Sequence, residues 1–299
     1  MNKVLFLYNP VSGDRYVPKN LDSIISQFNK EGFIVLTSRL FEDDKINLKL
    51  IKETDCDFIA ASGGDGTLKN VAQYMHDLKS DKPLIPIAAG TCNNFTTNLN
   101  YTSDIPENLN LALKGVPRKV DIGLINESDV FLSTFAGGAF VNTSFSTESK
   151  LKQALGPIAY YVKPLSELKN LESFEITVET PEQKITESIF LFILMNGRSV
   201  GNFENFLNDN NYHDGKMELV LIKESEPVEA ADLFLKILMG ENWSNHPCVE
   251  ILCSDVFSIS TDKNIITAVD GEKGKSLPAE VRVLSKALNV MVYPEERIK

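Results

Sequence analysis

Cysteine, histidine and tryptophan are scarce in this chain, at 4, 3 and 1 among 299 residues. Cys56, Cys92, Cys248 and Cys253 show no metal-ligand spacing, which excludes a zinc module and leaves reduced thiols in a cytosolic setting as the expectation. Cys92 reads as an incidental small residue in a loop rather than a nucleophile. His76, His213 and His246 are scattered, so neither a histidine metal site nor a histidine triad is supported. Positive charge is also short: 30 Lys and Arg against 41 Asp and Glu give a net charge of −11. That deficit argues against a nucleic-acid partner held by phosphate neutralisation and against indiscriminate adhesion to anionic membrane. Residues 4–7 are apolar for only a strand's length, and no run approaches a membrane span, so neither a signal peptide nor a membrane anchor is expected. Low-complexity tracts and internal repeats are missing too. What remains is an ordinary globular composition, 43% hydrophobic and 24% charged, long enough for one large or two medium domains.

Residues 1–125 alternate strand and helix patterns. Strands are expected at 4–8, 33–36, 57–61 and 84–88; helices use Leu21, Ile24, Ile25 and Phe28, then residues 46–52, then Leu68, Val71, Ala72, Met75 and Leu78, then 109–113. This alternation predicts a three-layer α/β domain with a mostly parallel sheet. Beyond Val120-Asp121-Ile122-Gly123 the texture turns β-rich, with short runs at 131–135, 174–180, 185–195, 217–222, 256–260, 265–269 and 281–284. Helices are expected near 151–168 and 228–238. Residues 126–299 therefore read as a second, β-rich domain, whose last strand within 287–299 could pair with either domain.

Three loops carry the chemistry. Gly63-Gly64-Asp65-Gly66-Thr67 lies between an apolar strand and a helix. Its glycines allow a sharp turn that brings backbone N–H groups close to a ligand, and the dipole of the helix that follows favours an anion. Thr67 is the expected N-cap. Asn9-Pro10-Val11-Ser12-Gly13 and Gly90-Thr91-Cys92-Asn93-Asn94-Phe95 follow strands in the same way. Each alone is ordinary turn chemistry. Together, at the carboxyl ends of parallel strands, they point to one phosphate site with a carboxylate inside it.

In this order the three loops resemble the diacylglycerol kinase catalytic family, in its soluble bacterial branch. The similarity continues through Lys119-Val120-Asp121-Ile122-Gly123, Phe135-Ala136-Gly137-Gly138, Gly156-Pro157-Ile158-Ala159-Tyr160-Tyr161-Val162-Lys163, Asp214-Gly215 and Asp270-Gly271-Glu272, nearly the whole chain. The resemblance implies a nucleotide-binding domain of the phosphofructokinase and NAD-kinase type, a C-terminal β-sandwich, and ATP meeting a lipid in the cleft between them. It implies an ATP site at Asn9, Pro10, Val11, Ser12, Gly13, Gly63, Gly64, Asp65, Gly66, Thr67, Thr91 and Asn93. Asp65 and Asp121 would organise magnesium through water, Glu272 would be the catalytic base, and Asp214 with the carbonyls of Asn211 and Lys216 would hold a second, structural Mg2+. Read alone, Asp270-Gly271 is simply a hairpin turn with Glu272 solvated beside it. Phosphoryl transfer asks mainly for positioning and charge neutralisation, which these residue types supply.

The chain departs from the family at Asn94, where an aspartate is usual, at Asp14, where the close relatives have lysine, and at Leu40, near an expected threonine. The expected function is phosphorylation of diacylglycerol to phosphatidic acid by a cytoplasmic protein visiting the inner face of the membrane. Another lipid alcohol (a sphingoid base, phosphatidylglycerol or a polyprenol) and a non-catalytic regulator with a kinase fold stay open, as does a homodimer. An NAD kinase would share Gly-Gly-Asp-Gly, but that family's Asn-Glu-containing follow-up motif is not found here, whereas Asn9-Pro10-Val11-Ser12-Gly13 points to lipid kinases. Lys150, Lys152, Lys163 and Lys169 accompany apolar residues on an expected helix. That stretch reads as a packed amphipathic helix, with membrane approach as the alternative.

Overall fold

The computed structural model describes residues 2–102, 104–139, 172–197 and 212–293, which fall into two compact units. Unit 1 is Met1–Ile122 with Leu284–Lys299, and unit 2 is Gly123–Val283. Both chain crossings run inside strands rather than through linkers.

Unit 1 alternates β1 (Asn2–Tyr8), α1 (Tyr16–Lys30), β2 (Phe33–Arg39), α2 (Asp44–Glu53), β3 (Phe58–Gly63), α3 (Asp65–Asp77), β4 (Leu84–Ala88), α4 (Asn94–Asn98), α5 (Ile105–Leu113) and the start of β5 (Val116–Ile125). The strands lie in the order β2-β1-β3-β4, all parallel, and the chain's last strand adds beside β4 through Val290 and Leu84. Strands covered on both faces need continuous apolar runs, and Val4 to Leu7, Ile59 to Ala61 and Leu84 to Ala88 are buried throughout. Because parallel crossovers are right-handed, stepping from β1 out to β2 puts α1 on one face, while stepping back to β3 and on to β4 puts α2 and α3 on the other. The packing agrees: α1 touches α5, and α2 touches α3. The two faces make the three expected layers, and the direction of winding reverses between β1 and β3. Helix starts are locally encoded, with Asp43 accepting the Lys45 N–H at 3.0 Å and Asp104 the Glu107 N–H at 2.9 Å.

Unit 2 contains β6 (Asp129–Phe131), β7 (Thr134–Gly138), β8 (Phe174–Glu179), β9 (Lys184–Met195), β10 (Met217–Lys223), α6 (Pro227–Met239), β11 (Val249–Ser254), β12 (Val256–Ser260), β13 (Ile266–Val269), β14 (Glu272–Ser276) and the first part of β15 (Ala279–Val292). Its ladders are antiparallel along β14-β13-β7-β9-β8-β12-β15, with β10 between β9 and β11. One face packs Phe131, Phe135, Ile176, Phe192, Leu219, Leu221 and Phe257 into a core. Val220, between Leu219 and Leu221, faces the other way and packs with Leu233 of α6, Trp243 and Val249.

Three expectations change. The run 131–135 is broken at Leu132 and Ser133, whose N–H groups bond a side chain instead of a ladder. The run 281–284 and the last strand expected within 287–299 form one strand, β15, which bends at Lys286 with φ +52°. Strand β11 was not expected, since its burial does not alternate cleanly. The helix expected near 151–168, its lysines Lys150, Lys152, Lys163 and Lys169, and the motif from Gly156 to Lys163 lie outside the described residues.

Candidate active site

The reversal between β1 and β3 is where an open α/β sheet forms a crevice at its carboxyl edge. The loops leaving those two strands are Asn9 to Gly13 and Gly63 to Thr67. Asn9 ties them together. Its N–H donates to Ser62 O at 2.9 Å, its Nδ2 to Thr67 Oγ1 at 3.3 Å, and its Oδ1 accepts the Val11 N–H at 3.1 Å. The third loop joins through Ala89, whose N–H donates to Gly63 O at 2.8 Å. Gly13, at φ +56°, approaches the same residue so closely that a Cβ would stand 3.1 Å from Ala89 O. Gly64 and Gly90 meet backbone to backbone, and a Cβ on Gly90 would lie 2.5 Å from Gly64 Cα. The three loops thus form one cluster of small residues and backbone dipoles.

Asn93 closes the third loop from a left-handed conformation (φ +55°), accepting the Gly90 N–H at 2.8 Å and donating to Gly90 O at 3.1 Å. It leads into α4, whose first N–H groups point at Asp65. Phe95 N–H donates to Asp65 Oδ1 at 3.2 Å. Burial pushes the Asp65 carboxyl above its ordinary pKa, while backbone bonds from Phe95, Asn94 and Asn93 pull the other way. Thr67 is not the cap of α3: the helix begins at Asp65, and Gly64 occupies the cap position. Thr67 is instead buried in the first turn, free to receive the Asn9 amide because backbone geometry alone starts the helix.

A hard divalent cation takes oxygen donors. Around this cluster stand the Asp65 carboxylate and two buried oxygens without a hydrogen-bond partner, Asn94 Oδ1 and Ser62 Oγ. This donor set fits Mg2+ with water, although Asn94 contributes no charge. Thr91 is exposed on the third loop. Asp121 is fully buried on β5, where its Oδ1 accepts the Lys286 N–H at 2.7 Å and secures the bend of β15.

An open cavity of about 630 Å³ adjoins the cluster, walled by Asn9, Pro10, Val11 and Thr67. Its opposite wall comes from the segment after β2, which sequence reasoning missed apart from the oddity of Leu40. Arg39 lies over the Phe41 ring, 5.4 Å from its centroid. Buried Asn47 clamps the Phe41 backbone at 3.0 and 2.9 Å, and the Tyr74 hydroxyl donates to Asp44. The volume suits a small organic ligand.

In unit 2, Asp270-Gly271 is a two-residue turn between β13 and β14 with φ of +48° and +81°, the left-handed pair of a type I′ hairpin. Glu272, the first residue of β14, is exposed. Asp214 is exposed as well, and its Oδ1 accepts the Lys216 N–H at 3.0 Å across Gly215 at φ +74°. Asn211, the third residue of that expected metal set, lies outside the described residues. Burial, followed by the charge of Asp214, lifts the Glu218 carboxyl to about 7.

Comparison with known proteins decides the family. Residues 3–125 match the model of the diacylglycerol kinase catalytic domain, and residues 138–292 match that of the YegS C-terminal NAD kinase β-sandwich-like domain. The chain belongs to the diacylglycerol kinase family. It is therefore an ATP-dependent lipid kinase. It is 29% identical to a diacylglycerol kinase of Staphylococcus carnosus over 98% of this chain and 95% of that one. Against a diacylglycerol kinase of Bacillus subtilis the identity is also 29%, covering 99% and 98%. The crystal structure of a diacylglycerol kinase from Bacillus anthracis shares the fold, with a TM-score of 0.79 at 22% identity over 98% of both chains. Among the described residues no helix is long and apolar enough to cross a membrane.

The structure thus gathers Asn9, Gly13, Gly63, Gly64, Asp65, Thr67, Asn93 and Asn94 of this lipid kinase into one loop cluster. Asp121 and Asp214 have backbone partners of their own, and Glu272 stands on a hairpin of unit 2.

Proposed function

We propose that this kinase phosphorylates diacylglycerol to phosphatidic acid, using ATP with Mg2+. The observation that carries the reading is the three-loop cluster at the reversal of the sheet, with Asp65 inside it and a ligand-sized cavity alongside. The backbone N–H groups of Asn9 to Gly13 and of Gly63 to Thr67 would bind the phosphates, with Thr91 and Asn93 bounding the third side. Arg39 and Phe41 would border the nucleoside. Asp65 and Asp121, with Asn94, would hold Mg2+ through water. When bound, Mg2+ supplies the charge neutralisation that a transferring phosphoryl group demands. Glu272 would accept the proton of the lipid hydroxyl as its oxygen bonds the γ-phosphorus and ADP departs. Asp214 with Asn211 and Lys216 would hold a second Mg2+ that shapes unit 2.

The choice of diacylglycerol rests on the names of the relatives. The lipid would be met at the inner face of the membrane by transient contact from the cytoplasm, and the net charge of −11 opposes any nucleic-acid role. Transfer of labelled phosphate from ATP to diacylglycerol in mixed micelles tests the reading, alongside Asp65→Ala, Glu272→Ala and a panel of other lipid alcohols. Product from the wild type that is lost in both variants is the expected result. Transfer to another alcohol alone would replace the substrate. No transfer to any would leave a regulator with a kinase fold.

A further inference from the structure

The Asp-Gly turn before Glu272 does more than reverse the chain. In a type I′ hairpin the favoured first residue is asparagine as readily as aspartate, because either tolerates positive φ. Here the aspartate side chain is buried and both of its oxygens are used. Oδ2 accepts the N–H of Leu132 at 2.7 Å, and Oδ1 accepts those of Ser133 at 2.8 Å and Thr134 at 2.9 Å. The Asp270 N–H returns a bond to Thr134 O at 2.8 Å. Successive backbone N–H groups converging on one anion form a nest, here filled by a side chain of the protein itself. The same three bonds interrupt the run from β6 to β7, so two segments are shaped around this carboxylate. An amide at 270 would keep the turn but present an NH2 group to an N–H donor, a mismatch that turn propensity cannot explain away.

We propose that Asp270 is a positioning residue: its carboxylate pins the turn to residues 132–134 and so fixes the backbone from which Glu272 reaches the substrate hydroxyl. The inference rests on the reading of Glu272 as the base and adds that the Asp-Gly-Glu motif divides its labour, with the aspartate building and the glutamate reacting. Gly271 contributes only its backbone, since nothing lies within 4 Å of a Cβ built there.

The test is a kinetic cycle on the full-length protein with Asp270→Asn, Glu272→Gln and the double variant, followed by ATP-dependent lipid phosphorylation. A misplaced base lowers kcat by at least about tenfold, while KM for ATP stays unchanged because the nucleotide loops belong to unit 1. In the Glu272→Gln background, Asp270→Asn should cost almost nothing further, because both changes act through one carboxylate. A merely structural aspartate would lower both backgrounds by the same factor, and that outcome overturns the proposal. So would an Asp270→Asn enzyme with full kcat. Should Glu272→Gln keep wild-type kcat, Glu272 is not the base and the positioning role falls with it; Asp270→Asn active beside a dead Glu272→Gln sinks the positioning role alone. If Asp270→Asn fails to fold, Gly271→Ala strains the same turn at positive φ without touching the nest, and the same pattern is expected of it.

Discussion

Replacing Gly90 by alanine is the sharpest probe of the loop cluster. Neither Gly90 nor Gly64 has positive φ, so the substitution adds no backbone strain and its cost is steric alone. The new Cβ would stand 2.5 Å from Gly64 Cα and 2.8 Å from Asn93 Oδ1. The first neighbour is backbone and cannot rotate away. The second is the atom that accepts the Gly90 N–H at 2.8 Å, so any escape weakens the clamp closing the third loop. Overpacking of this kind costs about 1–3 kcal/mol. A spoiled hydrogen bond adds about 1 kcal/mol. At about 2–4 °C per kcal/mol, the melting temperature of unit 1 should fall by roughly 5–15 °C. The matched control is Gly64→Ala, whose Cβ meets Gly90 Cα at 3.3 Å, a contact that a shift of a few tenths of an ångström relieves. Differential scanning fluorimetry and ATP KM should rank the proteins wild type, Gly64→Ala, Gly90→Ala, with KM for ATP at least about tenfold higher in the last if the loops hold the phosphates. A Gly90→Ala protein that melts within about 1 °C of wild type and keeps its ATP KM would refute the close-packed cluster.

Asp65→Asn should raise the melting temperature of the ligand-free protein while abolishing transfer. Burial holds the folded-state pKa of Asp65 above the unfolded one, so its favourable contribution is complete at low pH and lost as pH rises through the folded value. At neutral pH the ionised form therefore costs the fold, and asparagine still offers an oxygen to the Phe95 N–H; a lower melting temperature would mean that the backbone bonds outweigh burial. Asn94→Asp adds a charged oxygen where an unpartnered one now sits, and should reduce the Mg2+ concentration for half-maximal activity by on the order of tenfold. Isothermal titration with Mg2+ and ATP reads the same change without turnover, and an unchanged affinity would remove Asn94 from the metal's surroundings.

Much of unit 1 is legible because parallel strands buried on both faces must be continuous apolar runs and because each loop of the cluster follows one. Gly63 to Thr67 announces itself by glycine and a carboxylate. The sequence suggests a cap at Thr67 because capping propensity is local, whereas its actual partner, Asn9, arrives through the sheet. Arg39, Phe41, Asn47 and Tyr74 left no motif: they meet only because α2 and α3 pack on one face of the sheet, a tertiary fact. Asp270 was readable as a turn and invisible as an anchor, since its donors at 132–134 lie more than a hundred residues away and are backbone atoms with no sequence signature. The sequence pattern of β15 falls into two pieces because Ser285 to Ala287 are exposed and interrupt the apolar run.

That strand has a consequence for how the protein comes into being. Its last residues complete the sheet of unit 1, with the Tyr101 hydroxyl donating to Met291 O at 2.6 Å and Gly115 leaving no room for a side chain beside Val292. During synthesis the three-loop cluster emerges first, yet the sheet that carries it lacks a strand until all of residues 123–283 has followed. The enzyme cannot mature in the order in which it is made, and a nascent chain stalled before residue 284 holds that loop cluster on an unfinished edge.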